Sequence, residues 1–189
     1  VQITQRERVQ RINQLLAEQL KMPPEKHETV RLKWSAGDPL LCHVITMNVD
    51  EVLLNHHSHR IRAQLEDDPR WATLEGDPQS YEAQALVAEK VRQSRSDERF
   101  AALKESLLLE GQIEPGVMTH LGVLINANTR AVALREFEDP ARRYIRVAVL
   151  PETAQQQELS LLELRLQMQK DLKEDYPLTN ELLFIEELS

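Results

Sequence analysis

Gly111-Gln112-Ile113-Glu114-Pro115-Gly116-Val117-Met118-Thr119-His120-Leu121-Gly122-Val123-Leu124-Ile125-Asn126-Ala127-Asn128-Thr129-Arg130 is the stretch that decides the fold class of this 189-residue chain. Before it, residues 98–110 place Phe100, Leu103, Leu107 and Leu108 on one side of a helix, and Gly111 suits the left-handed cap that ends it. Gln112 to Pro115 leads into a strand, Gly116 to Thr119, and His120-Leu121-Gly122 turns the chain. Val123-Leu124-Ile125 reads as a short buried strand, and Asn126-Ala127-Asn128-Thr129 as the cap of a helix from Arg130 to Phe137. Asp139-Pro140 breaks that helix, and residues 144–150 alternate into a strand stopped by Pro151. Helix, strand, strand, helix, strand is an α/β or α+β order.

Upstream, Leu40 to Met47 is a largely buried strand, and Val30 to Trp34 alternates before the turn Ser35-Ala36-Gly37-Asp38-Pro39. Residues 61–98 carry the breakers Asp67-Asp68-Pro69 and Gly76-Asp77-Pro78, turn helical only from Tyr81 to about Val91, and read as an insertion. At the start, Ile3, Val9, Ile12, Leu15, Leu16 and Leu20 mark an amphipathic helix ended by Met22-Pro23-Pro24, whose stripe is expected to cover the domain. Downstream of Thr153 the pattern is helical, with Leu159, Leu162 and Leu166 on one face and a short apolar helix, 182–188, after Pro177. The expected organisation is an N-terminal helix and linker (1–29), an α+β domain (30–151) and a C-terminal helical segment (152–189), as part of a longer protein.

Composition narrows the function classes. With 41% hydrophobic and 29% charged residues, the chain is neither disordered nor low-complexity. It has no apolar run long enough for a membrane span, so no membrane partner is expected, and the lone Cys42 excludes an internal disulfide. The default expectation is a cytoplasmic protein. The net charge of −8 argues against a chain that clamps nucleic acid along its whole length. Acidity concentrates in 61–98 (five basic, nine acidic) and 152–189 (three basic, nine acidic), whereas 99–151 holds seven basic against six acidic residues. An anionic ligand is therefore to be sought in 99–151.

Within that block, Asn126-Ala127-Asn128-Thr129-Arg130 offers helix-start N–H groups, two amides, a hydroxyl and a guanidinium, a set that suits phosphate. A plain helix cap with a surface arginine explains the same residues, and on them alone it is the better account. His56, His57 and His59 read as a hydrogen-bonding loop rather than a metal site, because adjacent residues of an extended segment point to opposite sides and at most His57 and His59 share one. Glu163 and Gln167 share a helical face, which reads as solvated. Phosphate-loop, nucleophile-elbow and dinucleotide-binding motifs are absent from the sequence.

Taken in order, these pieces resemble the N-terminal domain of the ParB partition proteins, within the ParB/sulfiredoxin superfamily. The first family box, Asn-Pro-x-Gln-Pro-Arg, is matched by Asn55-His56-His57-Ser58-His59-Arg60, which keeps the asparagine and the arginine. The second, a helix followed by Gly-Gln-x-x-Pro, is matched by Gly111-Gln112-Ile113-Glu114-Pro115. The third, Ile-x-Gly-Glu-Arg-Arg-x-Arg-Ala, is matched by Ile125 to Ala133, with Arg130 kept, Ala127 in place of glycine, Asn128 in place of the acid, and Thr129 and Val132 in place of two arginines. The helix near Gln167 to Leu172 falls where the family has another box, with Asp171-Leu172 in common. Sulfiredoxin itself is disfavoured, since its reactive cysteine would fall at Asn128 and the only thiol is Cys42.

The resemblance implies a ParB-like nucleotide-binding domain of a bacterial DNA-associated protein. It implies a nucleoside triphosphate, CTP or ATP with magnesium, held by Arg60, Gly111, Gln112, Asn126, Asn128, Thr129 and Arg130. The departures subtract charge-assisted phosphate contacts of about 1.5–3 kcal/mol each, and leave hydrolysis, as a weak NTPase, without an assigned catalytic or metal-binding residue. DNA is expected to be reached only through additional domains or partners. The alternatives are a non-enzymatic interaction module on the same fold, binding a second copy or another protein, and, less favoured, a nuclease.

Overall fold

The structure, a computed structural model, describes residues 3–34 and 39–174, with side chains described as far as Met168. Its helices are α1 (Gln5–Lys21), α2 (Arg62–Glu66), α3 (Trp71–Leu74), α4 (Tyr81–Gln93), α5 (Asp97–Leu109), α6 (Asn128–Arg135) and α7 (Gln156–Glu174). Its strands are β1 (Thr29–Lys33), β2 (Pro39–Asn48), β3 (Gly116–Met118) and β4 (Tyr144–Val149). They form one sheet in the order β1-β2-β4-β3, with β1/β2 and β2/β4 antiparallel and β3/β4 parallel. The molecule is thus α+β.

Alternation along the strands gives the sheet two buried faces. Ile45, Met47, Ile145, Val147, Val149 and Met118 enter one apolar cluster with Ile12 of α1, Leu86, Val87 and Val91 of α4, Phe100 and Leu107 of α5, and Ala131 to Leu134 of α6. Cys42, Val44, Val117, Ala148 and Leu150 enter another, closed by Leu159, Leu162 and Leu166 of α7. The N-terminal helix covers the domain as its stripe predicts. A Thr4/Glu7 capping box starts it, and the buried Arg8 pins it, donating to the carbonyls of Glu51 (2.9 Å) and Ile3 (3.2 Å) and to Gln79 Oε1 (3.1 Å).

Three sequence expectations need correction. Residues 61–80 are not irregular: α2 and α3 form there, and Ile61, Leu65 and Trp71 join the main core alongside Ala83 and Leu86. Val123 to Ile125 is not a full strand. Only isolated bridges tie it, Leu53 to Val123 and Met118 to Leu124, which extend the sheet past β3 toward the 53–54 segment. Nor do the amides at 126 and 128 cap α6. The residue preceding the helix, Ala127, adopts a left-handed φ of 67° with no side-chain cap, because both amides are used elsewhere. The apolar segment 182–188 lies outside the described residues.

Candidate functional site

Where the 53–55 segment, the 119–125 hairpin and the start of α7 meet, the fold leaves a cavity of about 460 Å³. Asn55, at its wall, is fixed from several elements. The Leu53 N–H donates to the Gly122 carbonyl (2.8 Å) and the Leu53 carbonyl accepts from the Leu124 N–H (2.9 Å). Gln84 of α4 accepts from the Leu54 N–H (2.8 Å) and donates to its carbonyl (3.2 Å). The Asn55 N–H donates to Asn128 Oδ1 (2.9 Å), which ties it to the first residue of α6. Its side chain accepts from the His57 N–H (3.0 Å) and donates from Nδ2 to Glu163 Oε2 of α7 (3.4 Å).

Glu163 is the least expected member. Instead of facing water it is 7% exposed, because α7 docks through Leu159, Leu162 and Leu166, and position 163 turns inward beside Leu162. Apart from these polar groups the cavity is walled by Leu121, Val123 and Ile125 from the hairpin and by Pro151, Ala154 and Leu159 near α7. Thr119, Ser160 and Gln156 add polar contacts, as do His56, His57 and His120. The His56 and His57 rings lie 3.9 Å apart, and His56 lies 5.6 Å from Trp71. Burial, and then the charge of His57, pushes the His56 imidazolium down to about 4. A second pocket of about 210 Å³ is lined by the same two histidines with Arg62, Glu66, Trp71 and Glu75. Among the described residues no group of three or more His, Cys, Asp or Glu is placed to hold a metal ion.

None of the seven residues named from sequence lines the cavity. Asn128 reaches the cavity wall through Asn55. Asn126 is a structural clip, its Oδ1 accepting the Val117 N–H at 2.7 Å. Gln112 is another: its amide accepts from the Arg146 N–H (2.8 Å) and donates to the Arg146 carbonyl (2.8 Å), continuing the β3–β4 pairing with a side chain. Gly111 takes a φ of 72° as a helix terminator and has open space around its Cα. Arg130 donates to the Glu114 carbonyl and is absent from the cavity wall. Burial lowers its pKa, Glu114 opposes that, and Arg146 adds to it. Thr129 is half-buried in the first turn of α6, and Arg60 is half-buried in the turn after the histidines. Sequence reasoning missed Asn55 and Glu163 as a pair, because 108 positions separate them and only the docking of α7 joins them.

The arginines of the last strand are likewise engaged. Arg143 pairs with both oxygens of Asp50 (2.7 and 2.6 Å), and Arg142 donates to the Leu108 carbonyl (3.0 Å) beside Asp139. Arg146 pairs with Glu28 and donates to the Gln112 carbonyl. No described helix is long and apolar enough to cross a membrane. Comparison of the chain with protein-family models, with curated proteins and with solved structures finds no match.

Proposed function

We propose that this chain is a ParB-like nucleoside-triphosphate-binding domain, with the nucleoside in the cavity and the phosphates directed to the first turn of α6. The observation that carries the reading is the joining of three distant segments at Asn55: its own loop and Glu163 of α7, which line the cavity, and the α6 start at Asn128, which accepts the Asn55 N–H behind that wall. Two of these are boxes on which the family resemblance rests. The cavity volume of about 460 Å³ lies in the ordinary range of ligand sites. The uncapped start of α6 supports the placement of phosphate, since first-turn N–H groups without a side-chain acceptor attract anions. Arg130, held at the Glu114 carbonyl, acts in this reading as a support for the turn rather than as a phosphate ligand.

Calorimetric titration of CTP, ATP and GTP with magnesium tests the proposal, with Asn128→Asp as the diagnostic variant. The aspartate retains an acceptor for the Asn55 N–H while setting a negative charge at the phosphate end. Binding by the parent chain and at least tenfold weaker binding by the variant is the expected result. No heat from any nucleotide, or equal affinity in both proteins, removes the reading.

One observation favours the interaction module as a second reading. Leu161, Leu164 and Met168 lie on the outer side of α7, each between 39% and 56% exposed, at helical spacing. Light scattering of the purified chain separates this from the first: a monodisperse monomer without partners counts against it.

A further inference from the structure

In the sheet order β1-β2-β4-β3 the strand β1 is an edge, and no described strand pairs with its outer side. The Val44 N–H donates to the Glu28 carbonyl (2.9 Å), which fixes the alternation of the β1–β2 ladder. Val30 and Leu32 turn their main-chain groups toward β2, and Thr29, Arg31 and Lys33 turn theirs outward. The Lys33 carbonyl accepts from Arg165 Nη1 at 3.4 Å, whereas the outward groups of Thr29 and Arg31 have no partner among the described residues.

The side chains give this margin a pattern. Arg31 and Lys33 are exposed on one face, opposite Leu41 and Pro39 of β2, and neither has an ion pair among the described residues. The exposed Leu20 and Met22 end α1 beside that face: the Met22 carbonyl bonds His27, whose ring lies 5.5 Å from that of His43, the partner of Thr29. On the other face Val30 and Trp34, with Leu166 of α7, are half-buried against the second apolar cluster and form an apolar shelf.

We infer that β1 receives an extended segment of a partner protein in which acidic and apolar residues alternate. Main-chain hydrogen bonds to Thr29 and Arg31 align it. Residues directly opposite share a face, so its acids meet Arg31 and Lys33 while its apolar residues continue the shelf of Val30 and Trp34. Cations on an edge strand repel strands of their own sign, and what they admit is an acidic one. A second copy pairing through β1 sets cation against cation, which disfavours it. The chain's own acidic end lacks the pattern, since Leu182, Leu183, Phe184 and Ile185 are consecutive. The inference is independent of the nucleotide reading.

The test is fluorescence anisotropy of two end-labelled peptides titrated with the 189-residue chain. One alternates, Ser-Glu-Val-Glu-Ile-Glu-Ser, and the other has the same composition in blocks, Ser-Glu-Glu-Glu-Val-Ile-Ser. Saturable binding of the alternating peptide, about tenfold tighter than that of the blocked one, is expected. The double variant Arg31→Glu, Lys33→Glu should weaken it about tenfold. A version N-methylated between the serines keeps the side chains without the main-chain donors, and should bind at least about tenfold more weakly. Should the double variant fail to fold by circular dichroism, that peptide decides the matter. Equal binding of the alternating and blocked peptides reduces the effect to charge attraction and overturns the inference, as does no binding of either. Light scattering that finds a dimer of the parent chain and a monomer of the double variant gives the margin to a second copy and overturns it too. Each of these failures leaves the nucleotide reading untouched.

Discussion

Gly116 and Ala127 sit so close that a Cβ at position 116 would lie 2.9 Å from the Ala127 methyl, nearer than real Cβ atoms approach one another. Ala127 is itself strained, being the one non-glycine residue with positive φ among the described residues. An L-residue in that region costs about 1–2 kcal/mol, part of which glycine returns as entropy of the unfolded chain. Ala127→Gly is expected to stabilise the fold by about 0.5–1 kcal/mol, and Gly116→Ala to destabilise it. The double variant should recover much of the loss caused by Gly116→Ala. A double-mutant cycle by urea denaturation measures this coupling, and additive effects would contradict the contact.

Gly122 stands in a similar relation to Arg8. With φ at 87°, a Cβ there would lie 2.2 Å from Arg8 Cδ and 2.9 Å from Cγ. The arginine cannot swing aside without abandoning Glu51, Gln79 and Ile3. Gly122→Ala is expected to cost about 2–4 kcal/mol, from strain and from displacement of a buried hydrogen-bonded cation. In an Arg8→Ala background the added cost should shrink to the strain alone. Urea midpoints of the four proteins give the comparison.

The His56 ring makes stability depend on pH. Its conjugate acid is pushed down from 6.5 to about 4 in the fold. The unfolded chain therefore binds a proton that the folded chain refuses between those values, and stability falls as pH drops through that window. At pH 7 the folded state is unprotonated there and the unfolded state largely so, and the penalty is nearly gone. Thermal unfolding at pH 7 and pH 5 should show a loss at pH 5 that His56→Gln reduces. An unchanged difference in the variant assigns the pH dependence elsewhere.

Duplex DNA is expected to bind this chain weakly. Of the arginines on the last strand and just before it, Arg143 is spent on Asp50 and Arg146 on Glu28, while Arg142 lies beside Asp139. Useful affinity for duplex requires several free cations against phosphates. Fluorescence anisotropy with random duplex at about 0.15 M salt should give no submicromolar binding. Tight, salt-sensitive binding that Arg142→Glu removes would show that those pairs open on DNA.

Apolar patterning made the strands β1, β2 and β4 and the longer helices legible, because Leu40 to Met47 is a largely apolar run, Ile145 to Val149 alternates, and α1, α4 and α5 carry one-sided stripes with serine or threonine caps. The site was less so. Asn126 and Asn128 have the right types for a helix cap, yet their acceptors serve Val117 and Asn55, a choice made by the hairpin and not by the local sequence. Glu163 follows Leu162 at the border of an apolar stripe, where a small rotation of α7 separates solvent from core. The short helices α2 and α3 hide behind breakers such as Asp67-Asp68-Pro69, which end one turn of helix and begin another.

The bridges from β3 to Leu124, and from Val123 to Leu53, bear on how this molecule meets others of its kind. A bare sheet margin invites a foreign strand to add itself, which is how many folded proteins begin to aggregate or exchange segments. Here that margin is occupied by the chain's own hairpin, and beyond it by a segment bonded for barely two residues before the histidine turn. Among the described residues too little unpaired backbone remains on that side to template a neighbour. Strand addition is thereby turned toward the opposite margin, along β1.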